Sequence, residues 1–100
     1  MARIGLLVTL KAKSGQREAL LERLEQHAET TLARERGCMN FDIFLPLESE
    51  DEIKMVEIYL SEDALEQHRA SRHLAEFRAE SAAWVADRNI VQCEMQVKRR

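Results

Sequence analysis

The stretch from Glu57 to Leu74 holds the residues of this chain that are best suited to chemistry, and His68 is the first among them. Leu65 and His68 are three residues apart in a segment with helical spacing, so their side chains share one helix face. An imidazole can exchange a proton near neutral pH, which makes it a suitable general base. A histidine beside a leucine on an inward face therefore indicates either proton transfer or a hydrogen-bonded histidine at a helix–sheet boundary.

A strand comes before this histidine and must position it. Apolar residues ahead of Ser61 alternate with polar or aromatic neighbours, and this spacing predicts a half-buried strand over residues 53–60. The alternating residues are Val56, Ile58 and Leu60. Ser61 can cap the helix that follows, and the acidic Glu62 and Asp63 suit the positive end of the helix dipole. We therefore expect His68 on a helix that begins directly after a strand.

This helix is expected to break near Ala70, because Ser71 can cap a second helical segment. Residues at helical spacing predict that the second segment is amphipathic. Its inward face is expected to comprise Leu74, Phe77, Ser81, Trp84 and Val85. Alternation then predicts a last strand over residues 89–97.

The first half of the chain has a similar pattern. Residues 3–11 alternate so that one face is wholly apolar and the other is mixed, which predicts a strand covered on both faces. Ser14 can cap an amphipathic helix over residues 14–36, and Gly37 is expected in the left-handed conformation that ends many helices. His27 flanks the apolar stripe of this helix, where we expect a half-exposed boundary residue.

A second strand is predicted over residues 38–47, and the acidic residues 48–52 indicate a solvated connection to the strand before Ser61. One face of this second strand is expected to carry Met39, Phe41, Ile43 and Leu45.

The predicted order is strand, helix, strand, strand, helix, strand. This is the ferredoxin-like βαββαβ pattern of the α+β class, a four-stranded antiparallel sheet with both helices on one face. One hundred residues suffice for one core, so we expect a single domain over residues 1–100, with its core at about 3–97 and a basic tail at 98–100. The second face of the sheet is apolar enough to need cover, which predicts a homodimer with face-to-face sheets.

Composition excludes several kinds of partner. The net charge is −3, and the fifteen Lys and Arg are scattered among eighteen acids, so nothing favours nucleic-acid binding. No apolar run approaches the roughly 20 residues that a membrane helix needs, and no secretory signal is present, which predicts a cytoplasmic protein without a membrane partner. Cys38 and Cys93 are expected to be free thiols, and no His or Cys spacing indicates a metal site.

Three pieces of the sequence resemble the antibiotic biosynthesis monooxygenase domain, and the resemblance extends over about residues 3–95. The pieces are Gly37-Cys38-x-x-Phe41-Asp42, Glu57-Ile58-Tyr59 and Ser61-Glu62-Asp63-Ala64-Leu65-x-x-His68-x-x-Ser71-x-His73-Leu74-x-x-Phe77. The resemblance implies a dimeric α+β barrel with a pocket between sheet and helices in each subunit. Members of similar length include cofactor-independent quinol monooxygenases, an isomerase that processes a phosphorylated autoinducer, and haem-degrading enzymes.

Haem degradation does not fit this chain. Haem-degrading relatives place an asparagine, a tryptophan and a histidine at positions that correspond by spacing to Val8, His68 and Arg78, and none of the three matches. We therefore expect no bound cofactor. Relatives of the polyketide-tailoring type use Asn, Trp and Arg around the substrate, which makes Asn40 and Arg78 candidates, whereas Trp84 is expected in the core.

Cofactor-free oxygenation of a quinol or phenol begins with deprotonation, because the electron-rich anion passes an electron to oxygen. His68 is the candidate base, Glu57 could orient it or stabilise its charge, and His73 could bind an anionic or phenolic oxygen. Phe41 and Tyr59 are candidate walls for a planar substrate. Structural roles stay open for all five residues, namely core packing for the aromatic pair, a solvent or partner contact for Glu57, and helix-end hydrogen bonds for the histidines.

The predicted function is a cofactor-independent monooxygenase that oxidises a small quinol or phenolic compound with molecular oxygen. The same histidine and glutamate could serve an isomerase of a small hydroxy-ketone, by moving a proton beside a carbonyl. A dimer that only binds a small aromatic or carbonyl ligand is the alternative outside the enzymes. A histidine with a perturbed pKa that faces a cavity would favour an enzyme.

Overall fold

A computed structural model describes residues 2–96, which form a layer of strands and a layer of helices. The elements in chain order are β1 (Ile4–Ala12), α1 (Arg17–Arg34), β2 (Cys38–Phe44), β3 (Glu52–Tyr59), α2 (Glu62–Arg69), α3 (Arg72–Ser81) and β4 (Val85–Glu94). A 3₁₀ turn, Ala82–Trp84, joins α3 to β4. The predicted basic tail at 98–100 and the last predicted strand residue, Val97, lie outside the described residues.

The four strands form one antiparallel sheet in the order β2-β3-β1-β4. The helices cover one face of this sheet, and the core lies between the two layers. Its fully buried side chains include Leu10, Leu20, Leu24, Ile53, Tyr59 and Leu65. The ferredoxin-like βαββαβ prediction is therefore confirmed, with the second helix divided into α2 and α3.

Serine caps begin both α2 and α3, and the second cap divides the predicted second helix at the predicted place. Ser61 Oγ accepts a hydrogen bond from the backbone N–H of Ala64 at 3.1 Å, and Ser71 Oγ accepts one from that of Leu74 at 3.3 Å. Ser71 Oγ also donates to the carbonyl oxygen of His68 at 2.7 Å. Because these bonds fix the end of α2 against the start of α3, they also fix the backbone of His68.

Gly37 serves close packing, and the left-handed backbone predicted for it is wrong. Among residues 2–96 only Gly15 has a positive φ, which is 77°. A Cβ atom at Gly37 would collide with the Cβ of Ala64, because α2 packs directly on this part of the backbone. The predicted helix start is also wrong, since α1 begins at Arg17 and not at Ser14.

A register irregularity changes the predicted face of β2 at its first residues only, since Phe41 and Ile43 pack on the core as predicted. The pairing with β3 shifts between Cys38 and Asn40, so strict alternation is lost there. Cys38 and Phe41 are consequently both buried, whereas Met39 is exposed.

The buried face of β3 is the opposite of the one expected from Val56, Ile58 and Leu60. The side chains that point toward the helices are Ile53, Met55, Glu57 and Tyr59. Strand alternation therefore turns Glu57 inward, where only 4% of it is exposed.

β4 begins at Val85, earlier than predicted, and Trp84 lies in the 3₁₀ turn and not in a helix. The carbonyl of Trp84 accepts a hydrogen bond from the backbone N–H of Lys13 at 2.8 Å. This bond brings the chain alongside the end of β1, so sheet pairing starts sooner than the side-chain pattern indicates.

The outer face of the sheet, away from the helices, carries exposed apolar side chains. Leu7 pairs with Val56 and Val91 across the three neighbouring strands, and Phe44 lies farther along the same face. Leu7, Phe44 and Val91 are each about half exposed. Within residues 2–96, no helix has the length and apolar character needed to cross a membrane.

Candidate functional site

A cavity of about 60 Å³, which opens to solvent, lies between the helices and the inner face of the sheet. Apolar side chains of β1 line it, together with the aromatic Phe41 and Phe77. Its ionisable lining residues are His27, Glu57, His68, Arg69, Arg78 and Arg88. An apolar, aromatic surface with a few ionisable groups is typical of small-molecule sites.

Glu35 holds His68 in place from behind the cavity. It is the C-cap residue of α1, where the backbone turns extended with φ −109° and ψ 105°. Its Oε2 lies 2.9 Å from Nδ1 of His68. An ionised carboxylate only accepts hydrogen bonds, so Nδ1 of His68 must carry the proton. The other ring nitrogen, Nε2, is then left with a free lone pair when the ring is neutral.

Burial keeps the His68 ring neutral. Loss of solvent lowers its pKa below the usual 6.5, while the hydrogen bond from Nδ1 to Glu35 raises it in part. The nearby His73 and Arg78 lower the pKa of His68 further. At pH 7 the ring therefore presents an unprotonated Nε2, as a general base requires.

Glu57 lies opposite this nitrogen. Its Oε1 is 3.9 Å from Nε2 of His68 and accepts a hydrogen bond of 2.7 Å from the hydroxyl of Tyr59. Burial raises the pKa of Glu57 to about 7, although the bond from Tyr59 opposes the rise. Burial and the neighbouring Glu57 raise the pKa of Tyr59 far above its usual value, so the phenol stays protonated. Glu57 can therefore carry or release a proton near neutral pH.

His27 is fully inside the site, and the half-exposed position predicted for it is wrong. Only 2% of the residue is exposed, and its ring stacks on Phe77 with the ring centroids 4.6 Å apart. Its Nδ1 has no hydrogen-bond partner among residues 2–96. Its pKa is lowered to about 3, mainly by burial and to a smaller extent by the nearby His68 and His73. His27 thus contributes a neutral ring to the cavity wall.

The structure places the predicted site residues in four different settings. His68, Glu57, Phe41 and Arg78 line the cavity. Tyr59 is buried behind Glu57, outside the lining, because its hydroxyl is bonded to that carboxylate. Tyr59 therefore does not form the cavity wall that was predicted for it.

His73 and Asn40 also lie away from the cavity lining. The Nε2 of His73 is 2.5 Å from Oε2 of Glu35, so His73 faces the same carboxylate as His68. Asn40 is exposed on β2, beside the register irregularity that places Phe41 inward. It pairs with Ile58 of the outer face, which takes its side chain away from the helices.

Glu35, His68 and His73 are also the residues that could hold a metal ion in the described part of the chain. One atom of each lies within 4.8 Å of the others, and two imidazoles with a carboxylate suit a divalent transition metal. Both imidazoles already use these atoms to bond Oε2 of Glu35. An ion would therefore have to replace both hydrogen bonds, and it would occupy Nδ1 of His68 while leaving Nε2 toward the cavity.

Comparison with known proteins identifies relatives of this fold. The sequence model of the antibiotic biosynthesis monooxygenase family matches residues 3–80. A Caulobacter crescentus protein, provisionally named an antibiotic biosynthesis monooxygenase, has a TM-score of 0.91 at 23% identity, over 95% of this chain and 91% of its own. A Pseudomonas aeruginosa protein has a TM-score of 0.87 at 24% identity, over 96% of each chain. None of the curated protein sequences compared with the chain matches it.

Proposed function

Because this chain belongs to the antibiotic biosynthesis monooxygenase family, we propose that it oxidises a small quinol or other phenol with molecular oxygen and without a bound cofactor. The observation that carries the proposal is the free Nε2 of His68, which faces an aromatic cavity while Glu35 holds the proton on Nδ1. Family membership supports monooxygenase chemistry, and the cavity supports the choice of a small aromatic substrate.

In the first step His68 Nε2 accepts the phenolic proton. The resulting anion is electron-rich enough to pass an electron to oxygen, and a carbon–oxygen bond then forms on the ring. Glu35, bonded to Nδ1, stabilises the imidazolium that results. This is general base catalysis, which typically contributes about 10²–10⁴ in rate.

In the second step the oxygen–oxygen bond breaks. One oxygen atom stays on the product as a new carbonyl or hydroxyl, and the other leaves as water. The substrate itself supplies all the electrons, so a hydroquinone and one dioxygen give one hydroxyquinone and one water. Glu57 is protonated about half the time near pH 7, and its carboxyl can give the departing oxygen a proton.

We assign His73 to holding Glu35 and not to substrate. Its Nε2 reaches the carboxylate that orients His68, and its ring is outside the cavity lining. Two imidazole contacts to one carboxylate oxygen hold the side chain of Glu35 in place.

A second candidate is the isomerisation of a small hydroxy-ketone. It is favoured by the separation of 3.9 Å between His68 Nε2 and Glu57 Oε1, which would let one group remove a proton beside a carbonyl and the other return one. Such an enzyme would turn over without oxygen.

The active form is proposed to be a homodimer in which two outer sheet faces pack together. The half-exposed Leu7, Phe44 and Val91 form an apolar surface that a single copy leaves in water. A two-fold dimer would cover the same patch on both subunits.

The direct test is oxygen uptake with a panel of hydroquinones and anthrone-like phenols. We expect uptake by the natural protein, and a loss of at least about 100-fold in His68→Ala. Gln67→Ala is the matched control, because Gln67 is an exposed neighbour on the same helix. Uptake that a chelator leaves unchanged would support the absence of a cofactor metal. Equal uptake by the His68→Ala protein would contradict the proposal, and ligand binding without any turnover would favour a binding protein.

A further inference from the structure

Three arginines from three different elements meet at the cavity. They are Arg69 at the end of α2, Arg78 on α3 and Arg88 on β4. Arg69 is already engaged, because its guanidinium donates to Glu66 Oε1 at 3.0 Å and to Gln92 Oε1 at 2.7 Å. The other two are therefore the ones available to a ligand.

Arg78 and Arg88 have no acidic partner for their guanidinium groups among residues 2–96. The carboxylate nearest in sequence, Asp87, accepts the backbone N–H of Arg88 instead, at 2.9 Å. The two arginines also repel each other, since the charge of Arg78 adds to burial in lowering the pKa of Arg88. Two neighbouring cations without an acidic partner favour the binding of an anion between them.

The position of these charges is set by sheet register. Arg88 pairs with Leu10 and Ile90 pairs with Val8 on β1, and both of those β1 side chains are buried on the helix side. Arg88 and Ile90 thus point to the same side of the sheet as the cavity but stay exposed, so this strand forms the mouth. Arg78 is exposed as well, and its charge acts on the pKa of Glu57 and His68 inside the cavity.

The interior offers a complementary surface for a ring. Phe41 and Phe77 line it, and His27 is neutral there. Glu57 is the only acid of residues 2–96 in the lining, and it is largely uncharged below its raised pKa. An anionic ligand therefore meets little repulsion from within, while the planar guanidinium groups at the mouth match a carboxylate in shape and charge.

We propose that the cavity is selective for phenols that carry a carboxylate, with the ring against Phe41 and Phe77 and the carboxylate between Arg78 and Arg88. This rests on the proposed function for the choice of a phenol. The carboxylate preference itself is a property of binding and needs no turnover.

The test compares gentisate, a hydroquinone carboxylate, with its uncharged methyl ester by calorimetry without oxygen. We expect the natural protein to bind gentisate about tenfold more tightly or better, as a charge-assisted hydrogen bond would give. The double variant Arg78→Gln/Arg88→Gln should bind the two compounds about equally. Arg72→Gln is the control, because Arg72 is an 89% exposed side chain on α3 that pairs with Glu76 outside the lining, and it should keep the preference.

Equal affinity for acid and ester in the natural protein would overturn the inference, as would a preference that survives in the double variant or no binding of either compound. These outcomes are separable from the oxygenase chemistry. A protein that prefers gentisate but consumes no oxygen supports the carboxylate site and contradicts the proposed reaction. A protein that oxidises acid and ester with equal kcat/KM supports the proposed reaction and contradicts the carboxylate site.

Discussion

Glu35 determines which nitrogen of His68 is free to act, although it does not line the cavity. Replacing it by glutamine keeps the volume but removes the charge that holds the Nδ1 proton and stabilises the imidazolium. We expect Glu35→Gln to lower kcat by about 100-fold with little change in KM, since the substrate does not touch this residue. Steady-state oxygen uptake measures both constants.

Glu35→Asp provides the control for this prediction, because it keeps the carboxylate and should recover part of the activity. A purely structural role would instead give both variants similar losses together with lower thermal stability. Unchanged kcat in Glu35→Gln would show that the orientation of His68 does not depend on this carboxylate.

His68 and Glu57, which face each other in the cavity, predict a pH profile of activity with an acidic limb and an alkaline limb. His68 must be neutral, and its pKa is lowered by burial, so activity should rise with pH through a value below 6.5. Glu57 must be protonated, and its pKa is raised by burial to about 7, so activity should fall as pH rises through that value. The kcat/KM profile should therefore be bell-shaped, with its maximum below pH 7.

Glu57→Gln tests the assignment of the alkaline limb. This variant should lose the fall near pH 7 and retain the rise at acidic pH, at a lower rate throughout. An alkaline limb that persists unchanged in Glu57→Gln would assign it to another group.

The sequence was enough to single out His68 and Glu57, which line the cavity, but not the carboxylate that contacts the histidine. His68 was detectable because it shares a helix face with Leu65, and Glu57 because it interrupts an apolar strand. Glu35 has no such local signal, since it lies at a helix end among other charged residues. Its contacts with α2 and α3 are 33 and 38 residues away, and only the folded chain brings them together.

At the scale of elements, the packing of α2 on the start of β2 positions His68. Gly37→Ala would drive a methyl group into Ala64, so α2 must move or the backbone must bend. We expect a loss of about 1–3 kcal/mol in the free energy of unfolding, as overpacking typically costs, and a lower kcat because α2 carries His68. Urea denaturation measures the first quantity.

Gly5→Ala is the matched glycine variant, because its added carbon would meet Ile58 Cδ1 at an ordinary contact of 3.5 Å. It should change the free energy of unfolding much less than Gly37→Ala does. Equal stability of the two variants would mean that α2 does not need this close approach.

Periodicity and capping predicted the elements well, because Ser61 and Ser71 act locally and the apolar spacing is strong. The strand faces were harder to predict. The irregularity at Cys38 and Asn40 puts Cys38 in the core in place of Met39 without a sequence signal. Buried Glu57 and Tyr59 make the inward face of β3 look like the polar one. A hydrogen bond between two buried polar groups compensates for their burial, which a hydrophobic pattern cannot register.

At the scale of the whole molecule, the proposed dimer depends on the outer face of the sheet. Leu7 lies at the centre of that face, between Val56 and Val91. We expect the natural protein to sediment as a dimer at micromolar concentration and Leu7→Lys to sediment as a monomer, because a buried lysine charge would oppose association. Equilibrium sedimentation measures the mass of both.

Leu47→Lys controls for the general effect of an added charge, since Leu47 is fully exposed in the loop between β2 and β3. It should leave the dimer intact. A natural protein that is monomeric at micromolar concentration would contradict the proposed assembly.

The fate of molecular oxygen tests the proposed reaction most directly. Isotopically labelled dioxygen would be supplied with a hydroquinone or anthrone-like phenol that the protein consumes. The mass of the product would then be measured by mass spectrometry. We predict one labelled oxygen atom in each product molecule, and no labelled product above background with His68→Ala. A product without label, or one formed equally well in the absence of oxygen, would contradict monooxygenase chemistry at this site.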